Sequence, residues 1–159
     1  MQLFVMGLSH KTAPIQLRER FSIGEDALPL TAGKVCGAGF DESFVVSTCN
    51  RVELYGVGGP IEGVGDTLGR VLADLGNTHP RKLTEHVYQH AGRDAVLHLF
   101  RVAASLDSMV VGEPQILGQL KAAYGHCRAA GWTGPNLNRA VERAFAIAKK
   151  IRTETGIGR

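Results

Sequence analysis

The cysteine at position 49 ends an apolar segment and has polar neighbours, as a reactive sulfur would. An apolar run through Ser43–Cys49 predicts a strand, and Cys49 lies within the polar sequence Ser47-Thr-Cys-Asn-Arg51. Thiolate is the nucleophilic form of cysteine, and neighbouring cations favour it. Arg51, two residues away, would share a face with Cys49 in a continuing strand. The alternative is a small, buried, unreactive side chain at a strand end.

The histidine at position 98 is the second candidate for chemistry. In a helix predicted over 93–105, Asp94, His98, Arg101 and Ser105 recur at spacings that place them on one stripe. Asp94 could orient the imidazole, and Arg101 could hold an anion. Apolar neighbours make partial burial of His98 plausible, with a perturbed pKa. The alternative is an ordinary solvated helix face.

The segment Ser105–Gln115 predicts a loop that leads into a helix. Free N–H groups at a helix start bind carboxylates and phosphates. Gln115 and Gln119 would lie one turn apart with Glu113 beside them, so these side chains could hold the ammonium and carboxylate of an amino acid. The alternative is that Glu113 simply caps the helix.

The glycine-rich stretch Gly56–Gly65 follows a predicted strand but lacks a dinucleotide fingerprint. That fingerprint needs glycines in the order GxGxxG, whereas its third position falls on Ile61 or Leu68, depending on the starting glycine. We therefore expect a flexible connection here and no cofactor site in this chain. His86 and His90 could share a helix face, but no cysteine is spaced to complete a zinc set, so we expect no metal site.

The composition is that of an ordinary globular protein in a reducing compartment. The 159 residues are 44% hydrophobic and 21% charged, which suits one domain, with or without a short extension. Three cysteines, none in a CxxC pair, argue against a disulfide framework. No apolar run approaches the roughly 20 residues that span a bilayer, and the N-terminus lacks signal-peptide features. We expect a cytoplasmic protein without membrane attachment.

The net charge of +3 permits an anionic partner without requiring one. Arg139, Arg143 and Lys150 would lie on one face of the last predicted helix, where they could contact a phosphate backbone. A charge run is more often a solvated helix face, and that interpretation is preferred.

Strands and helices mix in the first half of the chain, and the second half is helical. That order favours an α+β fold with a helical annex over a doubly wound parallel sheet. The second and third strands could form an antiparallel hairpin or lie end to end. Ser22 and Glu25 fit a capping box that begins a helix. The predicted strands are 2–8, 43–49 and 52–57, with another through 86–88, and the predicted helices are 15–21, 22–36, 61–75, 93–105, 113–130 and 135–155.

Seven segments resemble, in order, the signature blocks of the glutamyl-tRNA reductase family. They cover nearly the full chain, and together they are very specific. They are Gly7-Leu-Ser-His-Lys-Thr-Ala-Pro14, Leu17-Arg-Glu-Arg20, Ser47-Thr-Cys-Asn-Arg-Val-Glu-Leu-Tyr55, Arg101-Val-Ala103, Leu106-Asp-Ser108, Gly112-Glu-Pro-Gln-Ile-Leu-Gly-Gln119 and Arg152-Thr-Glu-Thr-Gly-Ile-Gly158.

The resemblance implies the N-terminal catalytic domain of that family, similar to a ferredoxin-like fold with added helices. It implies that NADPH reduces the glutamyl group of glutamyl-tRNA to glutamate-1-semialdehyde, the first step of five-carbon tetrapyrrole synthesis. Cys49 falls on the family's nucleophile, which would hold the glutamyl group as a thioester. His98 falls on a histidine important for activity, which could protonate the ribose oxygen or polarise the carbonyl. The implied substrate contacts are Thr48, Asn50, Arg51, Ser108, Glu113, Pro114, Gln115 and Gln119.

Family members are longer than this chain, which bears on what it could do alone. The resemblance implies a catalytic domain over 1–134 and the start of a long spinal helix over 135–159. NADPH-binding and dimerisation domains would follow, so this chain, truncated or stand-alone, would form the thioester without reducing it. The implied partners are glutamyl-tRNA, a second subunit and the next pathway enzyme, glutamate-1-semialdehyde aminomutase. The alternative is a non-catalytic module that binds tRNA or a partner protein.

Overall fold

Four strands form one antiparallel sheet in this computed structural model, which describes residues 2–59 and 62–156. The strands are β1 (Leu3–Ser9), β2 (Glu42–Ser47), β3 (Arg51–Val57) and β4 (Tyr88–Ala91), in the sheet order β2-β3-β1-β4. The helices are α1 (Ile15–Arg20), α2 (Leu28–Gly37), α3 (Val64–Leu75), α4 (Arg93–Ala103), α5 (Gln115–Ala129) and α6 (Pro135–Thr155), with 3-10 turns at Glu25–Ala27 and Pro80–Lys82. This order of elements and strands is ferredoxin-like, so the predicted α+β class is confirmed.

The register of the sheet brings the ends of three strands to one corner. β2 and β3 form the antiparallel hairpin, with Ser47 opposite Val52. β1 pairs with β3 so that Ser9 lies opposite Arg51. The segment after β1 therefore runs beside the hairpin tip, where the His10 N–H donates to the carbonyl of Asn50 at 2.9 Å.

The centre of the sheet is covered on both faces. Every residue of β1 and β3 is buried, and alternate residues of a strand face opposite sides. Phe44 of β2 stacks on Tyr55 of β3 with ring centroids 4.6 Å apart, and Tyr124 of α5 meets Phe44 edge-on at 6.2 Å. This aromatic cluster fixes α5 against the hairpin, and so fixes the side chains at the start of α5.

Helix α6 packs one face on the rest of the fold and exposes the other. Its buried side is Leu137, Val141, Ala144 and Ala148, and its exposed basic residues include Arg139, Arg143, Lys149 and Lys150. The helix ends at Thr155, where Gly156 takes a left-handed φ of 75°, a conformation that glycine adopts without strain. Residues 157–159 of the predicted spinal helix lie outside the described residues, and the domain division after residue 134 stays a prediction.

The predicted capping box at Ser22 is wrong. Residues 22–24 are not helical, Glu25–Ala27 forms a 3-10 turn, and α2 begins only at Leu28. The N–H of Ile23 donates to Ser47 Oγ at 2.9 Å. This segment is therefore tied to the end of β2 instead of starting a helix.

Two further elements begin later than predicted. The strand predicted through 86–88 begins at Tyr88, because the N–H groups of residues 86 and 87 bond back to the Leu83 carbonyl in a turn. Helix α3 begins at Val64. Its predicted first residue, Ile61, lies outside the described residues.

Candidate active site

Cys49 lies at the tip of the β2–β3 hairpin and is exposed. The strand predicted to run through Cys49 ends at Ser47, because Thr48 begins a tight turn. The Thr48 N–H donates to the Arg51 carbonyl at 2.8 Å, and Thr48 Oγ1 accepts the N–H groups of Asn50 and Arg51, each at 3.2 Å. These hydrogen bonds hold the turn in a shape that exposes the thiol, so the alternative of a buried cysteine is wrong.

A small cleft beside Cys49 joins two stretches of chain that lie far apart in sequence. Its volume is about 20 Å³, roughly the room of one water molecule. Its lining residues are Thr48, Cys49, Asn50, Arg51, Ser108, Glu113, Gln115, Ile116 and Gln119. All but Ile116 were predicted as site residues, whereas the predicted Pro114 and His98 do not line it. The cleft is too small to hold an amino acid unless it opens.

The far wall of the cleft is the start of α5. Pro114 is the N-cap residue of this helix, not a residue inside it. Gln115 and Gln119 are exposed and one turn apart, and Ile116 between them is 5% exposed and anchors the helix. The carbonyl of Glu113 accepts a hydrogen bond from Arg152 of α6 at 3.0 Å, which holds the approach to this wall.

The loop over 105–113 closes the cleft and is fastened at its two ends. The Gly112 N–H donates to the Ser105 carbonyl at 3.1 Å, and the hydroxyls of Ser105 and Ser108 lie 3.0 Å apart. Between these ends Asp107 is held by Arg51 and Lys11. The side chains of Leu106, Met109, Val110 and Val111 face solvent, with exposed fractions of 41–65%. Residues 109–111 therefore have the least packing to lose when the cleft opens.

Arg51 connects the cleft to the interior. It is 1% exposed, and its Nη2 donates to the Asp107 carbonyl at 2.6 Å and to Asp107 Oδ2 at 2.9 Å. Its Nη1 donates to Glu53 Oε2 at 3.3 Å. Burial alone would lower the pKa of Arg51, but the charge of Glu53 and the contacts with Asp107 raise it above its ordinary value. The expectation that Arg51 shares a strand face with Cys49 is wrong, because the turn separates the two residues.

Glu53 is the fully buried centre of a network of side chains that the sequence analysis missed. Its Oε1 accepts the Tyr55 hydroxyl at 2.8 Å, and its Oε2 accepts the Tyr88 hydroxyl and His98 Nε2. Burial alone would raise the pKa of Glu53, but the hydrogen bond and charge of His98, with the charge of Arg51, lower it to about 2. Glu53 is therefore ionised at neutral pH and holds its donors in fixed positions.

His98 is buried within this network and not in the cleft. Its ring lies 5.1 Å from that of Tyr88 and 4.9 Å from that of His90. The expected helix neighbours of His98, Asp94 and Arg101, are both exposed. Asp94 is not its hydrogen-bond partner, because the Nε2 atom of His98 contacts Glu53 of β3 instead.

The segment after β1 and helix α1 supply two cations near the hairpin tip that the sequence analysis did not single out. Arg18 of α1 is 7% exposed. Its Nη1 donates to the Ala13 carbonyl at 2.6 Å, and its Nε donates to the Cys49 carbonyl at 3.4 Å. Lys11 Nζ contacts Asp107 Oδ1 at 2.6 Å. Both cations fall within the quoted signature strings, which was the one signal that could have found them.

Larger cavities of the described part of the chain lie apart from the cleft. One of about 590 Å³ lies between α3 and residues 80–89 and shares no lining residue with the cleft. Across residues 2–59 and 62–156, no three His, Cys, Asp or Glu side chains are grouped so as to hold a metal ion. No helix in the same ranges is long and apolar enough to cross a bilayer.

Comparisons with known proteins give one consistent family. The family described as "Glutamyl-tRNAGlu reductase, N-terminal domain" matches residues 6–155. A glutamyl-tRNA reductase of Syntrophotalea carbinolica is 49% identical over 99% of this chain, which spans 36% of that protein. Glutamyl-tRNA reductase 2 of Koribacter versatilis is 48% identical, with the same two coverages. The chain thus spans about a third of the length of these relatives.

A solved structure agrees with the sequence relatives. The glutamyl-tRNA reductase from Methanopyrus kandleri superposes with a TM-score of 0.78 at 31% identity, over 96% of this chain and 34% of that one. The match to the family covers nearly the whole chain, including the Cys49 turn and the α5 wall. The chain belongs to the glutamyl-tRNA reductase N-terminal domain family.

Proposed function

We propose that Cys49 attacks the glutamyl ester of glutamyl-tRNA. The observation that carries the proposal is the exposed thiol at the hairpin tip, facing a polar cleft. Sγ would bond to the ester carbonyl carbon, the bond from that carbon to the ribose oxygen would break, and the ribose oxygen would take up a proton. The glutamyl group would remain on Cys49 as a thioester, which splits one difficult substitution into two easier steps.

The cleft walls supply the groups that an amino acid requires. We assign the recognition of the glutamyl group to Thr48, Asn50, Arg51, Ser108, Glu113, Pro114, Gln115 and Gln119. Arg51 is the cation that lines the cleft, so it is assigned the choice of glutamate over glutamine. An incoming carboxylate would compete with Asp107, which accepts two hydrogen bonds from Arg51.

His98 is assigned a positioning role. The geometry supports action through Glu53, which contacts both His98 and Arg51. Direct protonation of the ribose oxygen would require His98 to reach a cleft that it does not line. In this proposal His98 and Glu53 keep the Arg51 guanidinium in place while the thiol reacts.

We assign NADPH no site among the described residues. Their sheet is wholly antiparallel, whereas a dinucleotide-binding fold needs parallel strands joined by a helix. In the whole-length enzyme, NADPH would supply the hydride that releases glutamate-1-semialdehyde. Dimerisation and transfer of the aldehyde to the aminomutase are likewise proposals for the whole protein, which we place in the cytoplasm.

The experiment is a product assay on this chain with glutamyl-tRNA. Wild type should discharge the tRNA and slowly release glutamate as water hydrolyses the thioester, with or without NADPH. Cys49→Ser should not discharge it, and Cys36→Ser is the matched control because Cys36 lies on α2, away from the cleft. An NADPH-dependent semialdehyde signal from this chain, or equal discharge by Cys49→Ser, would contradict the proposal.

A further inference from the structure

Arg18 is a buried cation without a carboxylate beside it. Its guanidinium bonds only to backbone carbonyls, those of Ala13 and Cys49. Among the described residues, no Asp or Glu oxygen lies within 4.0 Å of it. An unpaired charge is costly to bury, and an anion bound next to Arg18 would offset that cost.

The charges that act on His10 are those of Arg51, Lys11, Asp107 and Arg18, and among them the charge of Arg18 is in excess. Arg51 is paired with two carboxylates, and Lys11, whose side chain is 53% exposed, is paired with Asp107. Burial and the nearby Arg51 and Lys11 lower the pKa of His10, which disfavours a further positive charge there. Three cations therefore face two carboxylates, and the surplus positive charge adjoins the Cys49 carbonyl.

We propose that Arg18 and Lys11 form a seat for a phosphodiester of the single-stranded acceptor end of tRNA. The inference rests on the proposed function, because it starts from an ester carbonyl placed at the Cys49 thiol. The ribose that carries this ester has its own 5′-phosphate only a few bonds away, so that phosphate must lie near one rim of the cleft. The opposite rim carries Glu113 and two uncharged glutamines, and the cation beside it, Arg152, already donates to the Glu113 carbonyl. We therefore assign the phosphate to the Arg18 side.

The two cations would divide the work of binding. Arginine presents several N–H donors in a fixed fork that suits phosphate oxygens, and lysine acts as a mobile point charge. The seat would fix the register of the tRNA end relative to Sγ without contacting a base, as phosphate contacts generally do. Binding would also weaken with salt, with a slope of about 0.7 per neutralised phosphate on a single strand.

The test compares two small substrates, one that lacks phosphate and one that carries the phosphodiesters of the tRNA end. One is 3′-O-glutamyl-adenosine, which has the ester and ribose but no phosphate, and the other is the glutamylated trinucleotide CCA. Acylation of Cys49 is followed by mass spectrometry in wild type, Lys11→Met and Arg18→Met. Arg143→Met, which removes an exposed cation from α6, is the matched control.

We expect each cation loss to raise the half-saturating concentration of glutamyl-CCA several-fold, up to roughly tenfold for Arg18→Met. The loss in Lys11→Met should be larger for glutamyl-CCA than for glutamyl-adenosine, and Arg143→Met should change neither substrate. Lys11→Met keeps the test valid if Arg18→Met folds poorly, because an exposed ion pair contributes little to stability. An equal loss on both substrates, or no loss on either, would overturn the seat.

Binding of CCA that carries no glutamyl group separates a failure of the seat from a failure of the proposed function. The affinity for this CCA should fall in Lys11→Met. The slope of the logarithm of affinity against the logarithm of salt concentration should become shallower by about 0.7. If wild type binds CCA in this way but is never acylated, the seat stands and the nucleophile assignment fails. If acylation occurs but the affinity for CCA is the same in wild type, Lys11→Met and Arg18→Met, the seat fails and the nucleophile assignment stands.

Discussion

Two buried glutamates on neighbouring strands, Glu42 and Glu53, are held by different kinds of partner. Glu42, at the start of β2, is 4% exposed. Its Oε1 accepts the N–H groups of Gly134 and Leu137 at 2.8 Å each, and its Oε2 accepts Asn136 Nδ2 at 3.0 Å. These donors lie at the first turn of α6, where the helix dipole also favours a negative charge. Glu53, within β3, is fully buried, and its partners are side chains that can themselves titrate.

The difference separates a carboxylate that serves the fold from one that organises the site. The neutral N–H donors that bond Glu42 join β2 to α6, and none of their residues lines the Cys49 cleft. Side chains that bond Glu53 are held in position by it, and one of them, Arg51, lines the Cys49 cleft. We therefore expect changes at Glu42 to alter stability alone, and changes at Glu53 to alter stability and chemistry together.

The largest effect is expected for Glu53→Gln. The change leaves the buried Arg51 without one carboxylate and sets an amide N–H₂ group against hydrogen-bond donors. Breaking a buried ion pair from one side costs about 3–5 kcal/mol. Urea unfolding measures that loss of stability. The rate of Cys49 acylation should also fall by at least about tenfold, which is the effect expected when one hydrogen bond to a charged group is displaced. A folded variant that acylates at the wild-type rate would break the comparison.

The second prediction concerns acid stability. The pKa of Glu53 is lowered from 4.5 to about 2 in the folded state. A lowered pKa contributes stability that is fully present above pH 4.5 and is lost as the pH falls toward 2, worth about 3 kcal/mol. The difference in unfolding free energy between wild type and Glu53→Gln should shrink over that window. A difference that stays constant from pH 5 to pH 2 would contradict the assignment.

His98→Asn should have an intermediate effect. It removes one donor from Glu53 while Arg51 and the two tyrosines remain, for a cost of about 1–3 kcal/mol. A positioning role predicts the same fractional loss of acylation rate with glutamyl-tRNA and with an activated glutamyl ester that needs no proton on its leaving group. A loss confined to glutamyl-tRNA would instead indicate that His98 protonates the ribose oxygen.

Glu42→Gln should have the smallest effect and is the matched control for Glu53→Gln. The remaining carbonyl oxygen can still accept the N–H groups of Gly134 and Leu137, and only the hydrogen bond from Asn136 is lost. The loss should therefore be about 1 kcal/mol, as for a weakened helix cap. Acylation, measured under the same conditions, should stay within about twofold of wild type. A large loss of acylation in a stable Glu42→Gln protein would remove the distinction between the two glutamates.

The residues that line the cleft could be predicted from the sequence, whereas the way in which they come together could not. The signature strings named the residues of the Cys49 turn and of the α5 start, which line one cleft. Their meeting depends on packing of α5 against β2, a contact between distant segments that local periodicity does not encode. The strand predicted through Cys49 also ran two residues too far, since Thr48 closes a turn by hydrogen bonds that hydropathy does not reveal.

The hydrogen-bond partner of His98 likewise could not be predicted from spacing along one helix. Asp94 was chosen because it lies four residues earlier on the same helix, yet it is exposed, and the true partner is 45 residues away. A signal for Glu53 was available, because it alternates with Arg51 and Tyr55 on one face of a strand. A polar stripe of that kind in a wholly buried strand indicates an internal network.

The most direct test is peptide mapping of the chain after brief exposure to glutamyl-tRNA and acid quenching. The account predicts a glutamyl adduct on the peptide that contains Cys49, with Cys36 and Cys127 unmodified. An adduct on either of those cysteines, or none on Cys49 while the tRNA is discharged, would contradict it.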